Sequence, residues 1–156
     1  MTRDECFTAA LARLGRQLEP SLQAGGNYVT AKREGNTVYV AGQIPKDIKG
    51  IAIAGRVGAD VDLVAARDAA ALCALRALAA AKEVAGSLDA IASVLRLNVF
   101  IQCADNFTQH SEVADGASDI LVDILGGISR SPRTSVGVYS LPKNVPVELD
   151  VTLAIK

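Results

Sequence analysis

The chain has no tryptophan, one methionine, one histidine and three cysteines, and only 4% of its 156 residues are aromatic. Each scarcity removes a class of chemistry. Cys6, Cys73 and Cys103 are odd in number and widely separated, with no C-x-x-C and only His110 to help them, so neither a disulfide framework nor a zinc site fits. They read as reduced thiols acting as small apolar side chains. A Ser-His-Asp or Cys-His device would have to use His110, which lies in Asn106-Phe-Thr-Gln-His-Ser-Glu. That segment reads as a loop entering a helix, with Ser111 and Glu112 as capping residues. Aromatic side chains for base stacking are few, 16 Lys+Arg are balanced by 17 Asp+Glu, and no block of five or six like charges occurs. Nucleic acid is therefore not an expected partner. The longest apolar run, Ala69 to Ala81, is mostly alanine and contains Arg76, short of the roughly 20 residues that a membrane span needs. The opening Met1-Thr-Arg-Asp-Glu-Cys has an acidic pair where a signal peptide carries positive charge, so a soluble cytoplasmic protein without a membrane partner is expected.

Half of the sequence is hydrophobic. A chain of this length can bury about 70% of the surface its unfolded form exposes, enough for one domain over residues 1–156 without metal or disulfide. Phe7, Leu11, Leu14 and Leu18 recur at helical spacing before Pro20, which predicts a helical extension over residues 1–20. Tyr28 to Lys32 and Thr37 to Ala41 flank the turn signal Glu34-Gly35-Asn36 and predict a hairpin. Asp62 stands as an N-cap for a long Ala/Leu helix that Gly86 stops. From Val94 to Cys103 the pattern alternates, with Leu95, Leu97, Val99 and Ile101 on one face and Arg96, Asn98, Phe100 and Gln102 on the other. Ser111 to Leu125 reads as a second amphipathic helix and Thr134 to Tyr139 as a strand. In the last segment Val147, Leu149, Val151, Leu153 and Ile155 point inward. This order predicts an α+β fold: an antiparallel or mixed sheet with two helices on one face. No phosphate-binding glycine loop or internal repeat is present.

The residues that stand out chemically are Arg133 and Glu148. Arg133 follows Pro132 at the mouth of a strand, and its planar fork matches a carboxylate. Glu148 lies on the polar face of the last strand. If the two strands pair across the Leu141-Pro-Lys-Asn turn, both residues reach the same end of the sheet. The alternative is an intramolecular ion pair, or two solvated charges on an open face.

The segment Ser131-Pro-Arg-Thr-Ser-Val-Gly-Val-Tyr-Ser-Leu-Pro-Lys-Asn-Val-Pro-Val-Glu-Leu resembles the C-terminal signature of the RidA family (YjgF/YER057c/UK114). Its members read approximately P-A-R-S-x-V, then a Leu-Pro turn, then Val or Ile before Glu. Asn36-Thr-Val-Tyr-Val-Ala-Gly-Gln-Ile-Pro resembles a second family motif, and Asn27-Tyr28 the Pro-Tyr ahead of the first strand. The resemblance covers residues 25–156, and the N-terminal helix with the run Asp115-Gly-Ala-Ser-Asp in the second helix resembles a divergent branch of the family. It implies a chorismate-mutase-like, YjgF-type sheet and a homotrimer with clefts between subunits. It also implies cofactor-free, metal-free hydrolysis of enamine/imine metabolites such as 2-aminoacrylate to 2-oxo acids and ammonia. Position by position, Arg133 would grip the substrate carboxylate, and Glu148 would position or deprotonate water. Tyr28, Gly42, Ser135 and Ser111 would line the pocket. Ser135 stands where many members have cysteine, and Ser111 where deaminating members have asparagine. The second helix, at Gly116 and Ala117, lacks the aromatic residues that often close the pocket. A non-catalytic trimer that binds small carboxylates is the alternative. The ribonuclease activity sometimes attached to the family is disfavoured by the charge, the few aromatics and the single histidine.

Overall fold

Asp62 and Gly86 bound the longest element just as their types dictate. The Asp62 carboxylate accepts the Ala65 N–H, and Gly86 leaves the helix at φ +86°. The computed structural model describes all of residues 1–156. In chain order the elements are α1 (Arg3–Arg13), β1 (Ala31–Glu34), β2 (Thr37–Gln43), the two-residue strands β3 (Lys46–Asp47) and β4 (Gly50–Ile51), α2 (Leu63–Ala85), β5 (Ile91–Gln102), α3 (His110–Leu125), β6 (Arg133–Val138) and β7 (Val147–Ile155). The main sheet runs β1-β2-β7-β5-β6, while β3 and β4 form a separate ribbon. All pairings of the main sheet are antiparallel except β5 with β6. That exception follows from connectivity, because α3 carries the chain back across the sheet between β5 and β6.

The core lies between one face of this sheet and helices α2 and α3. β7 alternates without a break, its odd-numbered residues from Val147 to Ile155 buried and its even-numbered ones partly exposed. The fold is therefore α+β, with a mixed, mostly antiparallel sheet and two helices on one face, as expected. α1 packs beside α3 and is tied to the far end of α2. Thr2 and Glu5 form a capping box at its start, and Arg3 Nη1 donates to the Ile91 carbonyl at 2.7 Å. Burial raises the Asp4 carboxyl, but hydrogen bonds from Ser87, the Leu88 N–H and Lys82 outweigh it and hold it below its ordinary value.

Four expectations need correction. α1 ends at Arg13 with Leu14 as its C-cap, ahead of Pro20, because Gly15 turns the chain at φ +63°. The first strand starts at Ala31, and Tyr28 belongs to the preceding loop. In β5 the register shifts between Val94 and Arg96, so Val94 is buried and Leu95 exposed; Gln102, assigned to the polar face, is also buried. Its amide nitrogen donates to the Gly55 carbonyl and Asn144 Oδ1, and its oxygen accepts the Leu141 N–H. Finally, β6 does not pair with β7, because β5 lies between them.

Helix α2 is alanine-rich where α3 crosses it, and the closest approach is at Gly116. A Cβ there would sit 2.3 Å from the Arg67 carbonyl oxygen of α2. Arg67 then reaches over to the Glu112 carbonyl and to Asp119. Gly116→Ala is expected to push the helices apart and destabilise the protein by roughly 1–3 kcal/mol, the usual cost of overpacking. Urea denaturation measures this, and an unchanged midpoint would show that the interface yields freely.

Candidate functional site

The bulge that ends β2 makes the site. Pairing of β2 with β7 shifts register between Val40 and Gln43, and Gly42 in that bulge lies against the first turn-side carboxylate of β7. A Cβ on Gly42 would lie 2.5 Å from Glu148 Oε2, so the carboxyl group occupies the space a side chain would fill. The close approach, and not the backbone, is what favours glycine here, since Gly42 is not in the left-handed region. Around Glu148 opens a cavity of about 420 Å³, whose lining includes Tyr28, Gln43, Lys46, Arg76 and Lys143. Tyr28 is more than half exposed, and its hydroxyl accepts the Gly25 N–H.

Burial pushes the half-buried Glu148 carboxyl above its ordinary value of 4.5, and the like charge of Asp150 adds to the rise. No hydrogen bond to the carboxylate offsets these effects. The carboxyl group thus keeps its proton to higher pH than a solvated glutamate, which suits a group that must accept and return a proton.

Arg133 is held elsewhere. Its Nη1 donates to Asp115 Oδ1 at 2.7 Å and Ser118 Oγ at 3.0 Å, and its Nη2 to Ser111 Oγ at 2.8 Å and the Ser111 carbonyl at 3.2 Å. Ser111 is therefore an arginine anchor and not a cap; α3 begins after Gln109 with no side-chain cap at all. Ser111, Asp115 and Ser118 stand at i, i+4 and i+7, one stripe of α3, a spacing from which this cradle could have been read. Arg133 pairs with Leu97, itself opposite Val151, so its row faces the helices. Glu148 pairs with Phe100, opposite Val136, on the other face. The expected meeting of Arg133 and Glu148 in one chain does not occur. Ser135 shares the Arg133 face and Gly42 and Tyr28 share the Glu148 cavity, so the six candidate residues divide into two groups.

Other nucleophiles are weaker. Cys103 Sγ lies 3.5 Å from His110 Nε2, but burial pushes its thiol up, with Arg56 opposing and Asp105 reinforcing. Cys73 is fully buried and its thiol is raised well above the ordinary range. No group of three or more His, Cys, Asp or Glu side chains is arranged to hold a metal ion.

Two measurements check this geometry. A carboxyl whose folded pKa is raised favours folding below its unfolded pKa, and that contribution is lost as pH rises through the folded value. Glu148→Gln should therefore melt higher than the wild type near neutral pH, with the difference vanishing below about pH 4. A variant less stable than wild type at neutral pH would mean that ionised Glu148 has a partner. Gly42→Ala should leave the fold intact while displacing the carboxyl group toward water, so that its pKa, followed by NMR, returns toward 4.5. An unmoved titration would contradict the close contact.

The fold is shared with known proteins. Residues 9–149 match the family model described as "YjgF/chorismate mutase-like, putative endoribonuclease". Protein TCP17 of Trypanosoma cruzi is 35% identical over 148 residues, covering 94% of this chain and 92% of that protein. The crystal structure of Atu1372, a protein of unknown function from Agrobacterium tumefaciens, superposes with a TM-score of 0.89 at 37% identity, covering 99% of this chain and 95% of that one. A Shewanella oneidensis structure described as a putative endoribonuclease superposes with a TM-score of 0.90 at 26% identity, covering 99% and 100%. The relatives are consistent with a divergent branch of YjgF/RidA proteins, and the chain belongs to the YjgF/chorismate-mutase-like family.

Proposed function

We propose that the protein is a cofactor-free enamine/imine deaminase that converts 2-aminoacrylate-type intermediates to 2-oxo acids and ammonia. The observation that carries this reading is the half-buried Glu148 carboxyl in a polar cavity, held by burial above its ordinary value with no hydrogen bond to its oxygens. The enamine tautomerises to the imine, whose carbon is already electrophilic. Glu148 takes a proton as water adds to that carbon, the proton passes to nitrogen, and the carbon–nitrogen bond breaks to leave the 2-oxo acid and ammonia. Orientation of one acid and one water supplies most of what this step needs.

In this reading Arg133 grips the substrate carboxylate, and a second copy of the chain must bring it there. β6 is the edge of the sheet, and Arg133 and Glu148 lie on opposite faces of one chain. The open face also carries exposed Tyr39 and Val136 with the partly exposed Phe100, an apolar surface suited to burial against copies of itself. A homotrimer with clefts between subunits satisfies both needs. The assembly would act in the cytoplasm, on small imine or carboxylate metabolites.

The alternative is a trimer that binds small carboxylates through Arg133 without turnover, which needs the arginine but not Glu148. In either reading a ligand carboxylate meets an Arg133 whose two terminal nitrogens are already held by Asp115, Ser118 and Ser111. Hydrolysis of 2-aminoacrylate, generated in place by a pyridoxal-phosphate dehydratase, separates the readings. Turnover should fall about 10²–10⁴-fold in Glu148→Ala, the usual contribution of a general base, and should also collapse in Arg133→Ala. The wild-type rate should drop on the acid side with an apparent pKa above 4.5. Wild-type protein that gives no acceleration but binds 2-oxo acids would establish the binding module instead.

A further inference from the structure

Arg76 is the one charged residue in the run Ala69–Ala81, and the fold makes it stand out further. It sits in the middle of α2 among buried alanines and leucines and is only 5% exposed, yet it lines the Glu148 cavity. Both of its hydrogen bonds leave from Nη1, to Glu19 Oε2 at 3.1 Å and to the Lys46 carbonyl at 3.0 Å. Its Nε is buried with no partner. A guanidinium taken out of water normally has its donors satisfied, because an unpaired buried donor opposes folding. Glu19 does not neutralise the place either, since the Lys46 ammonium lies 3.7 Å from the same carboxylate. Lys46, Arg76 and Lys143 thus supply three cations to the cavity wall against the single carboxylate of Glu148.

We propose that Arg76, with Lys46, forms an anion subsite in the Glu148 cavity, and that the ligand is a short 2-oxo or 2-imino dicarboxylate. Its acid side chain lies on Arg76, while its first carboxylate is left to the grip proposed above. This inference rests on the proposed site but not on turnover there. A neutral or aliphatic side chain would leave the Arg76 Nε without an acceptor, whereas a second carboxylate supplies a planar acceptor for the free edge of the guanidinium.

Titration calorimetry with 2-oxoglutarate and 2-oxovalerate tests this, since the two share a carbon skeleton and differ in the terminal acid. Wild-type protein should bind 2-oxoglutarate at least tenfold more tightly. Arg76→Met should erase the difference and Arg76→Lys keep part of it. Glu19→Gln, which removes the internal counter-charge, should enlarge it, an effect that a merely structural Arg76–Glu19 staple would not give. Equal wild-type affinities, no binding of either acid, or an Arg76 variant that weakens both acids alike would overturn the proposal. The wild-type comparison decides even where Arg76→Met fails to fold. Dicarboxylate preference without imine hydrolysis would sink the deaminase reading alone, and hydrolysis of 2-aminoacrylate without that preference would sink this one alone.

Discussion

The placement of β7 between β2 and β5 is the constraint on which the rest of this structure depends. Its unbroken alternation gives the helices one wholly apolar face to cover, and Val147, Leu149, Val151, Leu153 and Ile155 are all buried there. The same pleat turns Glu148 to the opposite side. The antiparallel partner β2 then bulges at Gly42 and leaves room for that carboxyl group. Core and site are thus two faces of one strand, and a slip of one residue would bury the carboxylate and expose the core.

Much of this was legible from local chemistry. The Asp62 cap, the Gly86 stop, the turn at Gly35 and the pleat of β7 depend on neighbours along the chain, and they appear where residue types place them. Glu148 and Gly42 were recognisable as candidates, although only the structure shows that one occupies the space of the other. What was hidden depends on long-range pairing. The Leu141-Pro-Lys-Asn segment reads as a hairpin turn, but Lys143 and Asn144 adopt positive φ and Gln102 holds Asn144 and the Leu141 N–H, so the chain steps over β5. Arg133 therefore starts the sheet edge and faces α3, and Ser111 serves it instead of the helix terminus. Arg76 passed as an interruption of an apolar run, because nothing in the spacing tells that its middle-of-helix position reaches a cavity.

The two halves of the candidate site differ in how firmly they are set. Arg133 is fixed by four hydrogen bonds to α3, so its position is inherited from the packing of α3 on α2 at Gly116. Glu148 is fixed by exclusion: burial and a like-charged neighbour act on it, and no donor holds it. The first arrangement suits a residue that must hold a charge in place. The second suits one that must gain and lose a proton, since a strong hydrogen bond to the ionised form would pin it in one state.

The occupation of the residue-42 side-chain space by Glu148 links two positions at opposite ends of the chain. Any side chain at 42 displaces the carboxyl group, whereas a smaller residue at 148 would free the bulge to accept one. The two positions are therefore coupled: with glycine at 42 the acid stays half-buried, and with a side chain there it is turned toward water. Residue 42 thus sets how far the carboxyl group at 148 is kept from water, from a position more than a hundred residues away along the chain.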